Sequence, residues 1–85
     1  MKLLPLATFT KHYEKLPSQI RKKVDRQLGY LVQDLRHPGI HAKKMSGEAD
    51  LWEARVDYHY RVVFQIQDDV MILRSVGTHD ILKRP

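Results

Sequence analysis

The chain has 85 residues, no cysteine and a hydrophobic fraction of 42%. That is the length of one domain with apolar material for a core, and it excludes disulfide staples and thiolate metal sites, as in a reducing, cytoplasmic setting. Fifteen Lys/Arg against ten Asp/Glu leave a charge of +5, which favours a polyanionic partner, either nucleic acid or an acidic protein segment.

No apolar run approaches the roughly 18 residues of a membrane span. The opening MKLLPLATFTKHY is broken at Pro5 and is expected to be mature protein rather than a signal segment. Lys2 to Ala7 predicts a short edge strand or an extended lead-in, since Pro5 cannot donate to a ladder. Thr8 or Thr10 is expected to cap a following helix. Phe9, Tyr13 and Leu16 share one face of that helix. Leu16-Pro17 ends it, and Pro17 suits the first turn of the next.

Ile20, Val24, Leu28, Leu31 and Leu35 recur every three or four residues. They predict one amphipathic helix from about Ser18 to Arg36, stopped by His37-Pro38-Gly39. Its cluster Arg21, Lys22, Lys23 and Arg26 reads as a solvated outer face that could also meet a phosphate backbone or an acidic partner. Gly39 to Asp50 is expected to be a loop.

Period-two alternation then predicts strands over Leu51 to Asp57 and Tyr58 to Gln67. Asp68-Asp69 forms a hairpin turn, and the apolar run Val70 to Val76 reads as a central strand. Ile81 to Pro85 is a short tail. The order β-α-α-β-β-β specifies a single α+β domain over residues 1–85. In it, an antiparallel twisted sheet packs as one of two layers against an N-terminal helical hairpin. The face turned away from the helices should carry Glu53, Arg55, Asp57, His59, Arg61 and Gln65.

Arg55 and Arg61 fall on that open face on adjacent strands. Two guanidiniums on a rigid sheet can clamp a phosphate and offset charge that builds on it; the alternative is pairing with Glu53 or Asp57. His79, at the end of the last strand, can exchange a proton near neutral pH. His41, Lys43 and Lys44 make a basic loop able to position a phosphate backbone. Arg74 either reaches the open face or snorkels out at an edge. Trp52, Tyr60 and Phe64 read as core, with Tyr58 or Tyr60 able to stack on a base. There is no HExxH, no Gly-rich nucleotide loop, and the histidines are scattered, so neither a metal nor a cofactor is expected.

In this order the motifs resemble the RelE/ParE superfamily of type II toxin–antitoxin toxins over nearly the whole chain. The pattern F-x-K-x-Y-x-K-L-P (Phe9 to Pro17) precedes a long amphipathic helix. A K-x-x-G element (Lys44 to Gly47), L-W-E-A-R-V, Y-R-V-V-F, an acidic turn and V-G-T-H follow. The resemblance implies a ribosome-associated mRNA endoribonuclease in which a ribose 2′-hydroxyl attacks the adjacent phosphate. The products are a 2′,3′-cyclic phosphate and a 5′-hydroxyl. By the same resemblance Arg61 would stabilise the phosphate and His79 would act as general acid. Arg55 stands where members carry Lys, Arg or His, and His41 with Lys44 is similar to an H-x-x-K loop of the YafQ branch. The tail departs from the pattern, having no Tyr or Phe after His79. ParE-type members share the fold, lack the ribonuclease residues and inhibit DNA gyrase. The implied partners are a cognate antitoxin protein, the ribosome and mRNA, with no membrane.

Overall fold

The computed structural model describes residues 1–45 and 50–83. Gly47 of the K-x-x-G element and Arg84 and Pro85 of the tail lie outside them. Strand β1 (Lys2–Pro5) leads into helices α1 (Ala7–Glu14) and α2 (Ser18–Gln33). Strands β2 (Lys43–Lys44), β3 (Trp52–Arg55), β4 (Tyr60–Gln67) and β5 (Val70–Thr78) follow, and a 3₁₀ helix spans His79–Lys83. The sheet order is β1-β5-β4-β3-β2.

The strands from β2 to β5 pair antiparallel, but β1 pairs parallel to β5, so the sheet is mixed rather than antiparallel throughout. The connection from β1 to its neighbour carries both helices, which is the long crossover that parallel pairing needs. Pro5 sits on this edge strand, as its missing N–H requires.

Neither threonine caps α1. Leu6 N–H donates to Leu73 O (2.9 Å), so the ladder runs to the residue before the helix, and Leu6 itself is the cap position without a side-chain bond. Helix α2 stops at Gln33, short of Arg36, because Asp34 takes an extended backbone and its carboxylate accepts from Arg36 N–H (2.9 Å). That local bond competes with the helix. The stretch expected to be loop holds the two-residue β2, too short to show periodicity.

The apolar stripe of α2 (Val24, Leu28, Leu31) meets Ala54, Val62, Phe64, Met71 and Leu73 from the sheet, with Phe9 of α1 in the same core. Burying each such side chain contributes about 1.5–3 kcal/mol. The two helices are joined by Tyr13 Oη donating to Asp25 Oδ1 (2.7 Å). That bond, with partial burial, raises the Tyr13 phenol above its ordinary value.

Between β4 and β5 the register shifts at Val63/Phe64: Val63 faces Ser75 while Phe64 faces Leu73, which leaves Arg74 as the extra residue of a bulge. Directly opposed residues share a face. The rungs away from the helices are therefore Lys43–Glu53–Val63–Ser75 and Arg55–Arg61–Gly77. The alternation of β3 and β4 is as expected, with one exception. The strand β3 ends before Asp57, and that side chain turns to the helix side, where Lys23 Nζ lies 3.3 Å from Oδ2.

Candidate functional site

Arg55 and Arg61 are direct cross-strand partners. At that position the Cβ atoms stand about 5 Å apart, where like charges repel. Among the described residues neither guanidinium has a carboxylate within ion-pair distance. The two candidate acids are engaged elsewhere: Glu53 with Lys43 (3.7 Å) and Asp57 with Lys23 (3.3 Å). The alternative of local charge pairing is thus not what the structure contains.

Arg61 is oriented by its own hairpin. Its Nη1 donates to the carbonyls of Asp57 (2.6 Å), Tyr58 (3.2 Å) and Tyr60 (3.0 Å). Nε and Nη2 bond nothing among the described residues, so they are available to an anion. The turn is rigid because Asp57 Oδ1 accepts from His59 N–H and Tyr60 N–H, each at 2.9 Å. Burial pushes the Asp57 carboxyl up, but those two bonds and the Lys23 ammonium outweigh it and hold the group below its usual value. Arg55 is fixed through its backbone: its N–H donates to Ile40 O (2.7 Å), and its carbonyl accepts from Gln27 Nε2 (3.0 Å). Gln27, on α2, thereby positions a sheet residue, a role that nothing in its sequence neighbourhood signals.

His79 begins the 3₁₀ helix. Its N–H donates to His59 O (3.0 Å), which binds the end of β5 to the β3–β4 turn. Gly77 makes this return possible. A Cβ there would lie 2.8 Å from Ile81 Cγ2, so the helix packs on the sheet where only glycine leaves room.

Arg55, Arg61 and His79 line two adjoining cavities together. One, of about 650 Å³, extends over Tyr58, His59 and Asp80. The other, of about 310 Å³, extends to His41, Lys43 and Glu53. The sequence-derived trio is thus gathered at one solvent-facing site, and His41 and Lys43 join it. His41 holds a left-handed backbone (φ 52), which is strained for a non-glycine residue.

Two candidates do not join it. Lys44 pairs with Trp52 on the helix-side face, its ammonium 5.8 Å from the indole centroid. Adjacent residues of a strand point to opposite faces, so Lys43 enters the site and Lys44 cannot. Arg74, at the bulge, donates to Gln65 Oε1 (3.2 Å) and lines neither cavity. Among the described residues no group of three or more His, Cys, Asp or Glu is disposed to hold a metal ion, and no helix is long and apolar enough to cross a membrane.

Residues 4–81 match the protein-family model for the ParE toxin of the parDE type II toxin–antitoxin system. The chain belongs to this family of toxins. Solved structures with the same fold include RelE in the RelB-RelE complex of Methanococcus jannaschii, with 22% identity, TM-score 0.75 and 95% of each chain covered. The toxin of the intact E. coli RelBE complex has 25% identity and TM-score 0.74, covering 91% of this chain and 94% of that one. The YoeB/ParE toxin of Agrobacterium tumefaciens has 15% identity and TM-score 0.80, covering 93% and 99%. No curated protein sequence matches. By sequence the toxin is thus of the ParE family, and its fold is the one shared by the RelE and YoeB structures.

Proposed function

We propose that this toxin is an mRNA endoribonuclease that acts with the ribosome and so inhibits translation. The observation that carries this reading is the directly opposed pair Arg55 and Arg61 beside His79, with no carboxylate of the described residues within ion-pair distance of either guanidinium. Two unneutralised guanidiniums held in register are an unfavourable arrangement until an anion binds between them.

In the reaction, the 2′-oxygen upstream of the scissile phosphate forms a bond to phosphorus as its proton passes to His41. The bond from phosphorus to the 5′-oxygen breaks, and that oxygen takes a proton from the His79 imidazolium. A 2′,3′-cyclic phosphate and a 5′-hydroxyl result. Negative charge grows on the non-bridging oxygens, and Arg55 and Arg61 offset it. Lys43 holds the flanking backbone. A proton donor of this kind contributes about 10²–10⁴ in rate, and a preorganised cationic donor about 10²–10³.

Induced expression of the wild type, His79→Ala and Arg61→Ala, with mapping of mRNA 5′ ends, tests this. New 5′-hydroxyl ends and growth arrest should appear with the wild type and be lost in both variants. Growth arrest with intact mRNA would refute it.

A second reading is gyrase inhibition, favoured by the ParE family model that spans residues 4–81. Its signature is a DNA-damage response on induction, with mRNA left whole. Under either reading the partner is a cognate antitoxin, as in the RelB-RelE complexes of the structural relatives. Its acidic segment would cover the open basic face.

A further inference from the structure

Every aromatic ring in the chain but one is accounted for by packing. Phe9 and Phe64 are buried in the core, and Tyr13, Trp52 and Tyr60 pack against it. Tyr30 stacks on His37 with centroids 4.4 Å apart. Tyr58 is 82% exposed, whereas the next most exposed large apolar side chain, Leu4, is at 50%. A large ring left in water gains nothing for folding.

Its surroundings are ordered and specific. Tyr58 sits on the wall of the cavity that holds Arg55, Arg61 and His79. Its carbonyl accepts from the Arg61 guanidinium (3.2 Å), so the backbone that carries the ring is tied to the phosphate-binding group itself. The flanking turn is fixed by Asp57. The His59 ring meets Tyr58 edge-on at 5.0 Å and 82°. An exposed aromatic, preorganised beside a cationic anion site, has the two features that single-stranded nucleic acid requires, a stacking surface and backbone neutralisation.

We propose that Tyr58 is a stacking platform for one nucleobase of the single-stranded RNA whose phosphate lies against Arg55 and Arg61. This rests on the ribonuclease reading for the identity of the ligand. The contact is to the π-face of the base, so it supplies affinity and fixes the strand's position with little discrimination among bases.

The test measures binding of a fluorescein-labelled hexaribonucleotide by anisotropy. The full-length His79→Ala chain serves as the non-cleaving parent, with folding checked by thermal melts. Adding Tyr58→Ala should weaken binding about 5- to 150-fold, the range to which stacking of 1–3 kcal/mol corresponds. Tyr58→Phe and Tyr58→Trp should retain it. Removing one base at a time should identify a single abasic position at which Tyr58→Ala no longer matters. Parent-like binding by Tyr58→Ala overturns the proposal and would leave the ring to a protein partner. Equal losses on every abasic oligonucleotide, or a loss in Tyr58→Phe as large as in Tyr58→Ala, overturn it as well. If the wild type leaves the hexamer and mRNA uncut while the Tyr58 effect persists, the ribonuclease reading fails and the platform stands. Absence of any RNA binding overturns the platform, while the ribonuclease reading is decided separately by the mRNA 5′ ends.

Discussion

Replacing Gly77 by alanine probes the join between the sheet and the 3₁₀ helix that starts with His79. The new Cβ would lie 2.8 Å from Ile81 Cγ2, whereas carbon atoms in favourable contact stand about 3.5–4.0 Å apart. An opening of roughly 0.7 Å or more is therefore needed. Cγ2 is a methyl on the β-branched carbon of Ile81, so it can withdraw only by leaving the preferred χ1 rotamer. Keeping that rotamer shifts the helix instead, and His79 moves with it. Overpacking of this kind costs about 1–2 kcal/mol when an outer element can yield, equivalent to a Tm lowered by roughly 5–15 °C in a chain of this size. On the ribonuclease reading, a displacement near 1 Å at His79 should also reduce RNA cleavage by about 10².

Thermal melts and cleavage assays on Gly77→Ala, with and without Ile81→Ala, form the experiment. Ile81→Ala removes Cγ2, so Gly77→Ala in that background should be nearly neutral, giving a coupling of about 1 kcal/mol. A wild-type Tm for Gly77→Ala, or an equal loss in both backgrounds, would refute the steric argument.

Asp57→Ala should destabilise the toxin by about 1–2 kcal/mol near pH 7, since two backbone N–H groups and the Lys23 ammonium lose a charged acceptor. The folded carboxyl titrates below the unfolded one. Its contribution is therefore complete above about pH 4 and disappears as pH falls through the folded value. Urea midpoints of the two proteins should differ at pH 7 and draw together as pH falls below about 4; a gap that widens on acidification would contradict this. On the same ribonuclease reading, Lys43→Ala should weaken RNA binding and reduce its salt slope by about one, while Lys44→Ala, on the opposite face, should leave binding unchanged. Equal effects of the two lysines would show that the register of β2 is not what selects them.

Much of the site was legible because a strand has a period of two. Arg55 and Arg61, on strands joined by a short hairpin, had to share a face, and the alternation of Tyr60, Val62 and Phe64 identified that face as the open one. His79 was singled out by its place after Gly77 at the end of the last strand and by the V-G-T-H resemblance, while its bond to the β3–β4 turn came only from the fold. The same logic failed where parity depends on something distant. A two-residue strand carries no period, so nothing local separated Lys43 from Lys44. The bulge inserts Arg74 between Leu73 and Ser75, where counting from either end gives a different face. Asp57 left the sheet because its carboxylate closes its own turn on the His59 and Tyr60 N–H groups and meets Lys23, 34 residues earlier, on the helix side.

The sequence by itself determined the amphipathic stripe of α2, the three late strands and the presence of two arginines and a histidine at one end of the open face, because each is a periodic or nearest-neighbour property of the chain. Only the tertiary structure decided the parallel placement of β1, the bond from Gln27 that holds Arg55, the return of the 3₁₀ helix over Gly77 and the exposure of Tyr58. Each of these depends on groups far apart in sequence meeting in space, and which pairs meet is set by packing the helices on the sheet, which no local pattern of residues encodes.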